Sequence, residues 1–204
     1  MSTPPAHGRE VVSWIDHHAA RTPDRVAVED LGRAREMTYA ELSRRVRGVA
    51  RALSDVHGVG PGDRVAVLSR TDARVLEVLH ACATLGAIAV PLNWRLTATE
   101  LRAVVDDCTP TVFIEETWLA DTAGTVAEAT STSHLFWASE PGEPDRYDEL
   151  TTTVVPASWS PGPVDEDADW AIVYTSGTTG APKGVRATHR ASSPRSRGSS
   201  PRSG

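Results

Sequence analysis

Short apolar stretches alternate with segments of helical periodicity through most of this sequence. The apolar stretches predict strands over residues 64–68, 87–92, 111–115, 134–138 and 170–174. Helices are predicted over residues 39–54, 72–85, a short segment around 101–105, and more weakly 118–129. Residues 140–169, which are rich in proline, glycine and acidic residues, are interpreted as a connection. This alternation favours an α/β fold, with a mainly parallel sheet flanked by helices on both faces.

Two of the predicted helices begin with the same local signal. Thr38 is followed three residues later by Glu41, and Thr97 by Glu100, which fits the capping box of a helix N-terminus. Gly86 is the predicted end of the helix over residues 72–85. One face of that helix is predicted to carry four apolar residues, namely Val75, Leu76, Leu79 and Cys82.

Composition and charge argue against several classes of protein. With 40% hydrophobic and 24% charged residues, the sequence is typical of a soluble globular protein, and its most apolar stretch, residues 79–92, is too short to cross a membrane. The net charge of -6 argues against a general nucleic-acid binder. Cys82 and Cys108 are the only cysteines and the N-terminus carries no secretory signal, so we expect a cytoplasmic protein in a reducing compartment.

The segment from Tyr174 to Val185 contains the residues that most clearly indicate a function. It reads Tyr-Thr-Ser-Gly-Thr-Thr-Gly-Ala-Pro-Lys-Gly-Val, which places four hydroxyls, three glycines and one lysine directly after a predicted strand. Glycines allow close approach of the backbone, so N–H groups and hydroxyls can converge on phosphate oxygens while Lys183 adds a point charge. The pattern does not fit a Walker loop, and the alternative interpretation of the residues by themselves is a mobile surface turn between two strands. The candidate phosphate-binding residues are Thr175, Ser176, Gly177, Thr178, Thr179, Gly180 and Lys183.

This segment resembles the signature of the AMP-dependent synthetase and ligase superfamily, which includes acyl-CoA synthetases, the adenylation domains of peptide synthetases and firefly luciferase. The resemblance covers residues 11–190 and includes upstream motifs at residues 22–28, 38–42, 59–67 and 83–93. The stretch Leu92-Asn-Trp-Arg-Leu-Thr97 is more similar to acyl-CoA synthetases than to amino-acid-activating domains. The chain is identified as a member of this superfamily, with the fold of an incomplete N-terminal portion of its large domain.

The resemblance implies an AMP-forming ligase that joins a carboxylic acid to ATP as an acyl-adenylate and then passes the acyl group to a thiol. It implies ATP, Mg2+ and coenzyme A as cofactors, with a nucleoside triphosphate and a carboxylic acid as partners. Lys183 is expected to position the β- and γ-phosphates, not to act as a base. The sequence assigns no catalytic residue, and the metal ligands stay unknown.

Family motifs that follow the phosphate segment, including a magnesium-binding glutamate and a catalytic lysine, are not found in the sequence. We therefore expect residues 1–190 to be a partial AMP-binding domain, truncated and inactive as an isolated chain, in which the strand over 170–174 keeps an uncovered edge. Residues 191–204, rich in Ser, Arg and Pro, are expected to be a disordered tail, such as an out-of-frame reading would produce. The alternative is a non-catalytic fragment that binds nucleotide phosphates or interacts with a complementing chain.

Two further groups of residues give weaker signals. His17 and His18 are interpreted as solvated and not as metal ligands, because no cysteine or carboxylate cluster with ligand spacing lies near them. The arginines of the tail are too sparse to indicate a nucleic acid or a membrane as partner. Four tryptophans are interpreted as core or interface residues and not as a stacking platform, namely Trp14, Trp94, Trp118 and Trp170.

Overall fold

The structure, a computed structural model, describes residues 13–32, 35–127, 132–140, 143, 145–175 and 182–192. Its strands are β1 (Val26–Asp30), β2 (Arg35–Thr38), β3 (Arg64–Ser69), β4 (Ile88–Asn93), β5 (Val112–Glu116), β6 (Ser133–Trp137), β7 (Asp169–Thr175) and β8 (Lys183–Thr188). Its α-helices are α1 (Trp14–Arg21), α2 (Tyr39–Asp55), α3 (Ala73–Leu85), α4 (Ala98–Cys108), α5 (Ala120–Ala127), α6 (Arg146–Thr151) and α7 (His189–Ser192). A 3-10 turn, Thr117–Leu119, joins β5 to α5. Residues 193–204, most of the predicted tail, lie outside the described residues, so the domain boundary at residue 190 stays a prediction.

The main sheet has six strands in the order β6-β5-β3-β4-β7-β8. The first five are parallel to one another, which confirms the predicted mainly parallel sheet. The sixth, β8, was not predicted, and it runs antiparallel to β7 along its outer side. The expectation that β7 keeps an uncovered edge is therefore wrong, because β8 supplies the missing hydrogen bonds and the open edge lies one strand further out. Strands β1 and β2 form a separate antiparallel pair.

Both faces of the central strand are buried, as expected for a parallel sheet. Along β3, Val65 and Val67 contact the apolar core beneath α2 and α3. Ala66 and Leu68 point to the other face and contact the core beneath α4 and α5. The helices thus cover the sheet on both sides, with β3 between the two cores.

The helix termini follow the local signals in the sequence. The Glu41 N–H donates to the Thr38 hydroxyl at 3.2 Å, and the Thr38 N–H donates to the Glu41 carboxylate at 2.8 Å. Thr97 and Glu100 make the same reciprocal pair at the start of α4, so both capping boxes are confirmed. Gly86 ends α3 with a φ of 69°, in the left-handed region where glycine is unstrained.

The predicted apolar face of α3 is wrong in part. Leu76 is 41% exposed, whereas Glu77 is only 1% exposed. Val75 and Leu79 pack only partly against the core. The face that α3 buries consists instead of Arg74, Glu77, Val78, Ala81, Cys82 and Leu85. Burial of Glu77 requires a partner for its charge, which periodicity alone does not reveal.

The partner of Glu77 is Arg45, and their ion pair belongs to a cluster that joins the helices α2, α3 and α6. The Arg45 guanidinium on α2 pairs with the Glu77 carboxylate on α3 and, at 2.7 Å, with Asp148 on α6. The Tyr147 hydroxyl donates to Glu77 at 2.9 Å, and burial raises the pKa of Tyr147 well above its ordinary value, so the phenol stays neutral. Helix α6 lies inside residues 140–169, so the interpretation of that stretch as a simple connection is wrong.

A second buried arginine, Arg74 of α3, also helps to hold α6 in place. Arg74 pairs with Asp72 at 2.9 Å and with Asp145 at 3.0 Å, and it donates to the Ala138 carbonyl at 3.0 Å. Its guanidinium lies 5.0 Å from the ring centroid of the buried Trp137. Asp145 also caps the first turn of α6. The two arginines fix α6 against α2 and α3.

Close approach of α2 and α6 predicts the effect of a glycine substitution. A Cβ atom at Gly48 would lie 1.9 Å from the Thr151 carbonyl oxygen. We expect Gly48→Ala to lower the free energy of unfolding by roughly 1–3 kcal/mol, as overpacking does, although alanine favours a helix. Gly124→Ala in α5 is the matched control, because nothing lies within 4 Å of its Cβ position. Urea denaturation measures both; equal or higher stability of Gly48→Ala would contradict this packing.

Burial of the two cysteines predicts that their thiols react slowly with reagents in the folded protein. Cys82 and Cys108 are free and buried. Burial raises the pKa of Cys82 to about 12 and that of Cys108 to about 11, which disfavours the reactive thiolate. We expect both thiols to react with a colorimetric disulfide reagent at pH 8 at least roughly a hundredfold more slowly than in urea. Comparable rates in the two conditions would show that one of these thiols is accessible.

Candidate functional site

The parallel strands end at one edge of the sheet, and polar residues end them there. The last residues of β3, β4, β5 and β7 are Ser69, Asn93, Glu116 and Thr175. Ala89 of β4 pairs with Ala171 of β7, so β7 runs parallel beside β4 and ends at the same edge. In open α/β sheets, ligands bind at this carboxyl edge.

The predicted phosphate segment begins at this edge. Thr175 ends β7 and pairs across the hairpin with Lys183, which begins β8. The structure therefore brings together the first and last of the predicted site residues, and both side chains are exposed. The five predicted residues between them lie outside the described residues, namely Ser176, Gly177, Thr178, Thr179 and Gly180.

Lys183 differs from every other cation of the protein. The chain has 21 lysine and arginine residues, and Lys183 is the only lysine among them. In the part of the chain that the structure describes, Lys183 forms no ion pair, whereas many arginines pair with carboxylates. A flexible ammonium group without a fixed partner suits a point contact with phosphate.

The side chain of Tyr174 fixes the hairpin on the sheet. Tyr174 and Ile172 contact the core beneath α4, and the Tyr174 hydroxyl donates to the Asp107 carboxylate of that helix. Gly184 lies opposite Tyr174 in the register, and a Cβ atom there would lie 2.7 Å from Ile172 Cγ2 and 3.1 Å from Tyr174 Cζ. The last glycine of the motif therefore serves packing of the hairpin, a role that its position in the sequence did not indicate.

An ion pair stands at the end of β5. The buried Glu116 accepts hydrogen bonds from the Arg70 guanidinium at 2.6 Å and from the Arg70 N–H at 3.1 Å. Burial would raise the pKa of Glu116, but the bonds from Arg70 outweigh it, so the pKa lies below its ordinary value. Arg70 also lies over the ring of Trp118, 4.7 Å from its centroid. The sequence did not predict this pair, although Glu116 directly follows the predicted strand over residues 111–115 and Arg70 lies two residues after the predicted strand over 64–68.

A groove opens beside this ion pair. Its volume is about 650 Å3, and it lies between residues 28–32 of the β1–β2 pair and the carboxyl ends of β3 and β4. Arg70 and Trp94 line it on one side, and Val75 and Leu76 of α3 add apolar surface. The volume is within the range of small-molecule sites.

The described residues contain neither a candidate metal site nor a membrane-spanning helix. Across residues 13–32, 35–127 and the later described segments, no group of three His, Cys, Asp or Glu side chains could hold a metal ion. His18 stacks instead on Tyr39, with ring centroids 4.8 Å apart. No helix among the described residues is long and apolar enough to cross a membrane.

Comparison with known proteins identifies the family. The family model described as AMP-binding enzyme matches residues 15–196. The chain belongs to the AMP-binding enzyme family. This match confirms the resemblance found in the segment from Tyr174 to Val185. The mostly parallel sheet agrees with membership of the AMP-binding family.

Curated relatives of this AMP-binding chain are ligases by name. A feruloyl-CoA synthase from Amycolatopsis is 38% identical over 177 residues, which cover 87% of this chain and 33% of the relative. The fatty acid–[acyl-carrier-protein] ligase ScoC from Streptomyces coeruleorubidus is 36% identical, over 88% of this chain and 33% of the relative. The chain thus spans about a third of the length of the curated relatives it matches.

Solved structures of the AMP-binding family share the fold. The inhibitor-bound N-terminal domain of FACL13 from Mycobacterium tuberculosis matches with a TM-score of 0.73 and 28% identity. The match covers 89% of this chain and 45% of that one. The described sheet therefore corresponds to an N-terminal part of an AMP-binding enzyme.

Packing of the hairpin predicts a second glycine effect. Gly184→Ala would displace Tyr174, so we expect a loss of roughly 1–3 kcal/mol in the free energy of unfolding. It should also raise hydrogen exchange along β7 and β8, because the contact with Asp107 weakens. Gly162→Ala, with open space at its Cβ position, is the matched control and should have little effect. Unchanged exchange in Gly184→Ala would mean that the hairpin does not depend on this contact.

Proposed function

We propose that the chain supplies the ATP-phosphate segment of an AMP-forming ligase that activates a carboxylic acid. In the proposed reaction a carboxylate oxygen attacks the α-phosphorus of ATP. The bond to the bridging oxygen breaks, pyrophosphate leaves, and an acyl-adenylate remains. A thiol then attacks the acyl carbon and releases AMP. The proposal covers the whole ligase, of which the relatives carry a much longer chain.

One observation carries this proposal. Strand pairing sets the Thr175 hydroxyl beside Lys183 at the carboxyl edge of the sheet, at the two ends of a segment rich in glycine and hydroxyl groups. Hydroxyls, backbone N–H groups and an ammonium are the donors that phosphate oxygens accept. The lack of a carboxylate partner for Lys183 among the described residues leaves its charge available to a ligand.

Lys183 and Thr175 have different roles in the proposed reaction. Lys183 would offset negative charge on the β- and γ-phosphates, and this becomes more important as pyrophosphate develops. Thr175 would orient a phosphate oxygen through its hydroxyl. Neither group moves a proton in the proposed step, so no general base is assigned to them. The described residues hold no cluster suited to Mg2+, so none of them is assigned to the metal.

The acid is proposed from the relatives. Their names point to ferulate and fatty acids, which are carboxylic acids with an apolar body. We therefore propose an aromatic or fatty carboxylic acid as the substrate class. The expectation that the 204 residues alone do not form the adenylate stays a prediction, and pyrophosphate release from ATP with such acids measures it.

Lys183 provides its own spectroscopic test. Reductive 13C-methylation keeps the charge and labels only Lys183 and the α-amino group, because the chain has a single lysine. We expect ATP to shift the Lys183 methyl signal saturably, and adenosine alone to leave it unchanged. Calorimetric ATP affinity should fall at least about tenfold in Lys183→Ala, since a charge-assisted contact is lost.

Two control variants define the result. Lys183→Arg keeps the charge and should bind ATP more tightly than Lys183→Ala. Arg44→Ala removes an exposed cation on α2, outside the hairpin of β7 and β8, and should leave ATP affinity unchanged. Adenosine binding that is as tight as ATP binding, or equal ATP affinity in Lys183→Ala and the unmodified protein, would overturn the proposed role of this segment.

A further inference from the structure

Asp107 lies in an unfavourable place for a carboxylate. It is an exposed residue in the last turn of α4, where the helix dipole favours cations, and that turn contains no basic residue. The neighbouring Asp106 pairs with Arg102 at 2.7 Å, which offsets its charge. Asp107 forms no ion pair in the part of the chain that the structure describes, and its carboxylate instead accepts a hydrogen bond from the Tyr174 hydroxyl.

The hydrogen bond from Tyr174 to Asp107 links β7 to α4, across 67 residues of sequence. Burial raises the pKa of Tyr174 above its ordinary value, and the hydrogen bond to Asp107 adds to the rise, so the phenol stays protonated and can donate. The Tyr174 ring also packs against the apolar core beneath α4. The side chain is therefore held both at its ring and at its hydroxyl.

Tyr174 lies directly beside the two described ends of the phosphate segment. Thr175 follows it in the chain, Gly184 lies opposite it in the hairpin, and Lys183 directly precedes Gly184. A Cβ atom at Gly184 would lie 3.1 Å from Tyr174 Cζ, so the ring lies close to the backbone of β8. The pair of Tyr174 and Gly184 thus supports the next pair of the hairpin, Thr175 and Lys183.

We propose that Asp107 is a positioning residue for ATP, because through Tyr174 it fixes the backbone from which Thr175 and Lys183 reach the phosphates. Asp107 itself touches no ligand in this proposal and transfers no proton. The inference rests on the proposed function, since it assumes that the segment holds the phosphates of ATP. A frame that is fixed before the ligand arrives reduces the ordering that binding would otherwise require.

Charge and position predict opposite effects of substituting Asp107. A carboxylate repels another anion, so by charge alone its removal would favour ATP binding. Loss of a positioning contact would instead weaken ATP binding. An asparagine removes the charge but keeps an oxygen that can accept from the Tyr174 hydroxyl. Asp107→Ala and Asp107→Asn therefore separate the two effects.

Calorimetry with ATP on the 204-residue chain tests the proposal. We expect ATP affinity to fall about threefold to tenfold in Asp107→Ala, as loss of one hydrogen bond implies, and not to fall in Asp107→Asn. Asp106→Ala is the matched control, because it removes a carboxylate of the same turn that contacts Arg102 and not Tyr174, and it should not lower affinity. In a double-mutant cycle, Asp107→Ala should have no further effect once Tyr174→Phe has removed the hydroxyl.

The methyl signal of reductively 13C-methylated Lys183 provides a second measurement, without ligand. We expect Asp107→Ala and Tyr174→Phe to move this signal in the same direction and to increase amide exchange at Thr175. Asp107→Asn should leave both close to those of the unmodified chain. A lower melting temperature of Asp107→Ala with no change in these two local measurements would reduce Asp107 to a residue that only stabilises the fold.

Two calorimetric results would overturn the proposal. ATP affinity in Asp107→Ala that equals or exceeds that of the unmodified chain would show that Asp107 acts only through its charge. The same loss with and without the Tyr174 hydroxyl would show that it does not act through Tyr174. Should Asp107→Ala fail to fold, Tyr174→Phe is expected to show the loss of affinity instead. If Lys183→Ala leaves ATP affinity unchanged, the proposed function fails, whereas an effect of Lys183→Ala with none of Asp107→Ala rejects only the role of Asp107.

Discussion

Parallel pairing of β3 with β4 and β5 brings the residues that follow these strands to the edge of the sheet where the candidate site lies. Because these strands run in the same direction, the residues that follow them meet at one edge, although Arg70, Trp94 and Trp118 are far apart in the sequence. Strand β7 joins the same edge and delivers Thr175 there. Such pairing is possible only when helices cover both faces, since parallel strands bury both sets of side chains. The two apolar cores are thus a condition for the site.

Buried ion pairs attach the short helix α6 to the helices that cover the sheet. Helix α6 has only six residues, too few to be stable by itself, and much of its attachment is polar. Arg45 on α2 pairs with Asp148 of α6 and with Glu77 of α3, and removal of one partner would leave an uncompensated buried charge. Charge pairs of this kind contribute specificity of position, because a guanidinium accepts only certain geometries of its carboxylates. They hold α6 against α2 and α3, so residues 145–151 are more than a simple connection.

Local signals predicted the fold well, and long-range contacts account for what they missed. Thr38 and Thr97 were identified because a capping box is contained within four residues. The exposure of Leu76 and the burial of Glu77 were not foreseen, because they depend on Arg45, thirty-two residues earlier than Glu77. Strand β8 was missed because its exposed, mixed sequence has no periodicity of its own and takes its conformation from β7. The phosphate segment was recognisable from its motif, whereas Trp118 and Arg70 become a pair only through the sheet.

The use of arginine and lysine follows the same physical distinction. Arg45, Arg70 and Arg74 lie where a planar group must stay fixed, and each pairs with a carboxylate that restricts it. A ligand whose phosphates separate during reaction instead needs a charge that can follow them. A lysine has a flexible stem and no preferred plane, so it can stay in contact with an oxygen as that oxygen moves. The single lysine of the chain stands at the only predicted phosphate segment, which is where this difference between the two cations has a consequence. These three arginines are fixed by carboxylates, whereas Lys183 has no carboxylate partner among the described residues, which suits the proposed contact with phosphate.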